Sequence, residues 1–226
     1  MRRTLFVLVC FLLFRNQPLY SQGEGNGENI TGVSIGNQVW SATNTDVLTF
    51  RNGDTIPHAR SAGEWEKAGR EGTPAWCYYQ SDTGEVRNYG RMYNWFAVND
   101  ERGLAPVGWH VATQDDWITL EDFLGKDKAG VLFRNDSVWN TGNTHSGTGI
   151  LLGGYRGRDG RFTGMGEFTY MTSATETDIR DSRNDQMAIW GRGVHIDNKT
   201  VMRCALDKQF GLYVRYVRDA AIRVKM

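Results

Sequence analysis

Cysteine and proline are scarce in this chain of 226 residues: it has three of the first and four of the second. So few cysteines exclude a disulfide-dense scaffold, and the turns must rest on something other than proline. Long apolar runs are lacking too. The longest is Leu5–Phe14, ten residues, against the roughly 20 needed to span a bilayer. No block of basic residues occurs, so the electrostatic footprint for nucleic acid or an anionic membrane is missing. No unit of about 20–50 residues repeats. The histidines His58, His110, His145 and His195 stand singly, outside His-x-His or His-Glu-x-x-His spacing, so no zinc site is expected. Gly-x-Ser-x-Gly, the P-loop and the dinucleotide fingerprint are missing. Gly153-Gly154-Tyr155-Arg156-Gly157 is glycine-rich but does not lead from a strand into a helix, as a phosphate cradle would. These patterns lead us to expect no cofactor, no bound metal and no catalytic residue set.

What the N-terminus does contain is a charged start, Met1-Arg2-Arg3-Thr4, ahead of the apolar run, and a polar stretch ending Leu19-Tyr20-Ser21. Residues 1–21 read as a secretory signal peptide cleaved after Ser21, which makes the protein exported: secreted, periplasmic or on the cell surface. Cys10 has Val9 before it, where lipid modification wants a small residue, so lipidation there is not expected. Cleavage removes Arg2, Arg3 and Arg15 from 26 basic residues. That leaves 23 against 26 acidic ones, a net of −3. Residues 22–29 have no apolar side chain and read as a flexible leader. Residues 30–222 are long enough to bury a core as one domain, with no transmembrane span. Cys77 and Cys204 remain after cleavage. They are either a disulfide, stabilising by about 4–5 kcal/mol in the chain-entropy model, or two buried free thiols.

Glycine is abundant, 27 residues, well above its usual share of about 7%. Apolar residues alternate around Gly36-Asn37, which signals a two-residue hairpin turn. Ser61-Ala62-Gly63-Glu64-Trp65 and Thr113-Gln114-Asp115-Asp116-Trp117 share a device: a hydroxyl, an acid three positions on, then tryptophan. Each predicts a capped helix, over about 62–69 and 114–124, with Gly72 and Gly125 near the ends. Asp116, shorter than Glu64, is expected to reach back less well. Residues 91–98 fit a strand or a helical turn. Strands are expected at 186–191, 200–206 and 210–218, the last alternating Leu212, Val214 and Tyr216 against Tyr213, Arg215 and Val217. Few helices, short antiparallel strands and long Gly-rich loops make an α+β domain.

An ordered set of segments then narrows the reading. Ile35-Gly36-Asn37-Gln38-Val39-Trp40, Pro74-Ala75-Trp76-Cys77-Tyr78-Tyr79, Tyr89-Gly90-Arg91-Met92-Tyr93-Asn94-Trp95, Gly108-Trp109-His110-Val111, Ser173-Ala174-Thr175-Glu176 and Val214-Arg215-Tyr216-Val217 follow one another. Together they resemble the Fibrobacter succinogenes major paralogous domain over about 33–219. The resemblance implies a fold like the C-type lectins and the formylglycine-generating, sulfatase-modifying enzymes, with two short helices. Those enzymes hold copper with a cysteine pair near the C-terminus. Here only Cys204 lies in that half, so the activity does not carry over. The family usually has cysteine where this chain has Ala105 and Tyr216. Their joint replacement implies that the two positions face each other, with the Tyr216 ring turned inward and its hydroxyl partnered.

No Glu-Pro-Asn sugar motif occurs. Asp178, Asp181, Asn184 and Asp185 are interleaved with Arg180 and Arg183, which reads as a solvated loop rather than a calcium site. Trp40, Trp65, Trp95, Trp109 and Trp117 lie in patterned segments and are expected in the core. The expected ligand surface is the loop region of Trp139, His145, Arg158, Asp159 and Arg161. The function implied is a secreted or cell-surface binding module for a glycan or protein ligand. The alternatives are a structural or adhesive component of a surface assembly, or a degenerate relative of the formylglycine-generating enzymes.

Overall fold

The computed structural model describes residues 30–80, 88–127, 129, 149–180 and 186–220. The signal segment and leader therefore lie outside the described residues. The Gly36-Asn37 turn forms as expected. Gly36 takes φ 62°, and strands β1 (Gly32–Ile35) and β2 (Gln38–Ser41) pair antiparallel with Ile35 opposite Gln38. A positive φ is what such hairpin turns require.

Helix α1 (Ala62–Glu71) starts on the Ser61 cap. The Ser61 hydroxyl accepts from the Glu64 N–H, and the Glu64 carboxylate accepts from the Ser61 N–H. The helix runs two residues further than expected and stops where Gly72 turns left-handed, at φ 66°. After β3 (Trp76–Cys77), the segment 91–98 contains both expected alternatives in succession: strand β4 (Met92–Tyr93), then a one-turn helix α2 (Trp95–Val98) capped by Asn94. The described residues thus hold more than the two helices expected. Following β5 (His110–Val111), helix α3 (Gln114–Leu124) has the expected bounds. Asp116 is not too short for its box: Oδ2 accepts from the Thr113 N–H at 2.9 Å and from the Thr113 hydroxyl at 2.6 Å.

The remaining strands are β6 (Gly153–Arg156), β7 (Phe162–Met165), β8 (Phe168–Arg180), β9 (Met187–His195), β10 (Met202–Leu206), β11 (Leu212–Tyr213) and β12 (Tyr216–Asp219). They build an α+β fold on two sheets. The smaller has the order β1-β2-β12-β5. The larger runs β10-β9-β8-β11-β4-β3, with β6 on β8 and β7 on β6. The strands are neither all short nor all antiparallel. β8 has 13 residues with two register shifts, and β11 and β6 pair with it in parallel. The expected strand at 210–218 is broken at Val214-Arg215, so that β11 joins the larger sheet and β12 the smaller. Residues 211–217 are all buried. A chain passing between two sheets buries both of its sides, and alternation therefore loses its meaning there.

Two apolar clusters follow from this layout. One includes Trp40, Trp65, Trp117 and Met171. The other includes Phe50, Ile56, Trp76, Tyr93 and Tyr216. Trp40, Trp65, Trp95 and Trp117 are buried as expected. Trp109 is a correction: it is only half-buried, with the Arg218 guanidinium 5.1 Å from its ring centre. Tyr216 points inward and its hydroxyl donates to the carbonyl of Leu104, beside buried Ala105, at 2.9 Å. The disulfide alternative is overturned. Cys77 and Cys204 are free, on the opposite outer strands β3 and β10 of the larger sheet. Five strand spacings make about 24 Å, far beyond the reach of a bridge. Cys204 is half-buried rather than buried.

Asp116 also accepts from His110 Nε2 at 2.9 Å and from Gln38 Nε2 at 2.9 Å. Burial disfavours its charge, but the bonds from Thr113 and His110 outweigh that and hold its carboxyl below the usual range. A carboxylate with a depressed folded pKa stabilises above its unfolded value, near pH 4, and loses that contribution as pH falls through the folded value. Asp116→Asn is therefore expected to be less stable than the natural protein at pH 7. The gap should close below about pH 4, as read from urea midpoints across pH. A gap independent of pH would refute the ionic role.

Candidate functional site

Arg158, Asp159 and Arg161 come together in the tight turn joining β6 to β7. Gly157 N–H donates to the Arg161 carbonyl at 2.7 Å, and Arg161 N–H donates to Asp159 Oδ1 at 3.1 Å. The Arg161–Asp159 ion pair, 3.7 Å, is largely exposed and contributes little. Trp139 and His145 lie outside the described residues, as do Asp181, Asn184 and Asp185. Among the described residues, no three of His, Cys, Asp or Glu converge as metal ligands.

A surface that composition and spacing did not reveal lies on the larger sheet. Phe168 and Tyr170 alternate along β8 with buried Thr169 and Met171, so their rings share one face. Tyr155 from β6 meets Tyr170 at 5.3 Å, Phe168 at 6.1 Å and Phe210 at 5.1 Å. His195, opposite Phe168 in the register, lies nearly parallel to that ring, at 9°. All five rings are half-buried. The other ring pairs are tilted, so the set is a cobbled face rather than a flat stack. Glycine shapes it: a Cβ on Gly193 would stand 3.0 Å from both the Tyr170 ring and Met202. The bare backbone there lets the Tyr170 ring lie close over β9.

The Tyr155 and Tyr170 hydroxyls make no hydrogen bond with the described residues. Burial pushes the Tyr170 phenol and the neighbouring Cys204 thiol up, so both are neutral at physiological pH. The face thus combines apolar rings with uncommitted hydroxyls and carries no Asp, Glu, Lys or Arg among the residues named. A one-residue alternation in β8 is its only trace in the sequence, and the tyrosine and phenylalanine there read equally as core.

A cleft of about 370 Å³ borders the same apolar cluster. Val47, Leu48, Phe50 and Leu104 are among its walls, and Asp46 and Arg91 line it as well. Arg91 Nη1 donates to both the carbonyl and the carboxylate of Asp46, and Tyr78 donates its hydroxyl to Asp46 Oδ1 at 3.0 Å. The guanidinium lies 4.4 Å from the Trp76 ring centre and 4.8 Å from that of Tyr78. Asp46 and Arg91 thus match each other, while Arg51, also in the lining, donates Nε to the Ala105 carbonyl at 2.8 Å. Asp46 and Arg91 are 45 residues apart, so no local motif marks them.

Two sheets clasping α3, with surface aromatics set over bare glycine, define an α+β domain. The chain belongs to the Fibrobacter succinogenes major domain family, whose profile matches residues 33–218. No curated protein and no solved structure matches it. Among the described residues, no helix is long and apolar enough to cross a membrane.

Proposed function

We propose that this chain is an exported binding module of the C-type-lectin-like group, holding a neutral glycan on the Tyr155–Phe168–Tyr170–Phe210 face without a metal. The observation that carries this reading is the pairing, on a face with no Asp, Glu, Lys or Arg among the residues named, of half-exposed rings with two hydroxyls that no group among the described residues uses. Sugar rings are amphipathic in the same way: C–H faces pack on aromatic rings, and hydroxyls exchange hydrogen bonds with phenols. Export is supported by the signal-like N-terminus. The expected test is affinity electrophoresis of the natural protein and Tyr170→Ala through gels containing neutral β-glucan, xylan or mannan. The natural protein should be retarded by at least one polymer. Tyr170→Ala should bind about tenfold more weakly, a loss of ~1.4 kcal/mol. No retardation by any of the polymers, or equal retardation of a correctly folded Tyr170→Ala, favours the structural or adhesive reading instead.

A further inference from the structure

A second cavity, about 210 Å³, lies on β3 and β6 away from the cobbled face, and His58, Arg60, Cys77, Gln80, Arg156 and Phe162 are among its lining. Among the described residues, the lining includes two arginines and a histidine and no carboxylate. Arg156 is 2% exposed, and among the described residues it forms no ion pair. Of the five N–H donors of a guanidinium, three are spent on neutral carbonyls: Nε to Gly160 at 3.1 Å, Nη1 to Ala59 at 2.8 Å and Nη2 to Ser61 at 2.9 Å. Two N–H groups remain. The rings of Trp65 and Phe162, 4.8 and 4.7 Å from Arg156 Cζ, keep this charge dry. A buried cation facing a cavity with no counter-charge attracts an anion more strongly than one in water does. Arg60, at the rim, has an exposed side chain. The Glu64 carboxylate, four residues on, accepts from the backbone N–H groups of Arg60 and Ser61 and also feels the Arg60 charge.

We propose that this cavity is an oxyanion site, in which a carboxylate, sulfate or phosphate group enters between Arg60 and the free N–H groups of Arg156. His58 lines the cavity beside them, its ring stacked on Trp76 with centroids 3.8 Å apart and planes 8° apart. The site is separate from the glycan face and does not depend on it.

Isothermal titration of the exported chain with sodium sulfate, phosphate and glucuronate, at ionic strength held with chloride, tests the site. Saturable binding of at least one anion is expected, and the tightest of the three identifies the source of the oxyanion. Arg60→Gln should weaken it about tenfold, the loss of one charge-assisted hydrogen bond. Arg161→Gln, in the neighbouring turn, should leave it unchanged, and so should Tyr170→Ala. Arg156→Lys strips donors from buried carbonyls that hold the fold, which is why Arg60→Gln is the deciding variant. Absence of saturable heat with all three anions overturns the proposal, as does an unchanged affinity in Arg60→Gln.

Discussion

Trp117→Ala is expected to lower stability by about 3–5 kcal/mol, read as a shift of the urea unfolding midpoint at constant slope. The ring is fully buried and by itself joins α3 to both sheets. It lies 4.7 Å from the Trp40 ring centre, on β2 of the smaller sheet. Its indole N–H donates to the Thr172 carbonyl, on β8 of the larger sheet, at 3.2 Å. Truncation removes a large apolar surface, leaves a cavity, and strips a donor from a buried carbonyl. Trp117→Phe keeps much of the volume and loses the donor, so it should fall between alanine and the natural protein. An unmoved midpoint in Trp117→Ala would mean that the two sheets are held together elsewhere. Thr113→Ala, which removes only the cap of the same helix, should cost less, about 0.5–2 kcal/mol.

The contrast between α3 and β11–β12 shows which features sequence can carry. The helix was legible because its signals are local: a hydroxyl cap, an acid three residues on, tryptophan and leucine on one face, glycine at the stop. The two-residue turn at Gly36-Asn37 was legible for the same reason. The break at Val214-Arg215 was not. Six alternating residues look like one strand whether they stay in one sheet or cross between two, and only non-local pairing separates those cases. The Cys77–Cys204 pair failed similarly. Even cysteine counts say nothing about distance, and the sheet order places these two at opposite edges. Binding residues concentrate on loops, and the loop region of Trp139 and His145 lies outside the described residues. The rings of the cobbled face sit mainly on strands, where alternation makes them look like core.

Buried arginines carry no motif of their own. Arg156, Arg192 and Arg215 are each at most 2% exposed, and no motif around them marks that burial. Arg192 reaches Glu121 of α3 and Gln114 Oε1, the latter at 2.7 Å, tying helix to sheet. Arg156 draws the β6–β7 turn onto the segment entering α1. Each guanidinium fastens segments far apart in the chain through its several donors. Sequence shows an arginine and cannot show that water has been excluded from it.

Arg215→Leu is expected to destabilise the fold by about 3–5 kcal/mol, because three buried acceptors lose their donors at about 1–3 kcal/mol each. Arg215 stands where the chain leaves β11 for β12, and its side chain fixes that crossing from three directions. Nε donates to Asn44 Oδ1 at 2.8 Å, Nη1 to the Ser41 carbonyl at 2.7 Å, and Nη2 to the Gly149 carbonyl at 3.2 Å. Burial pushes its pKa down to about 9, which still leaves it charged at neutral pH. The three oxygens therefore offset a desolvated positive charge, and leucine leaves them buried without those donors. The backbone on either side is also engaged: Thr45 N–H donates to the Val214 carbonyl at 2.9 Å and Ala112 N–H to the Arg215 carbonyl at 3.0 Å. Loss of the side chain should thus weaken both sheets together, giving one cooperative transition at lower urea rather than two. Arg215→Lys is the informative companion. Its single ammonium has no planar fork to reach three acceptors at once, so it should recover only part of the loss. If the leucine variant unfolds at the natural midpoint, the crossing is held by its backbone bonds alone. If lysine matches arginine, charge matters there and the fork does not.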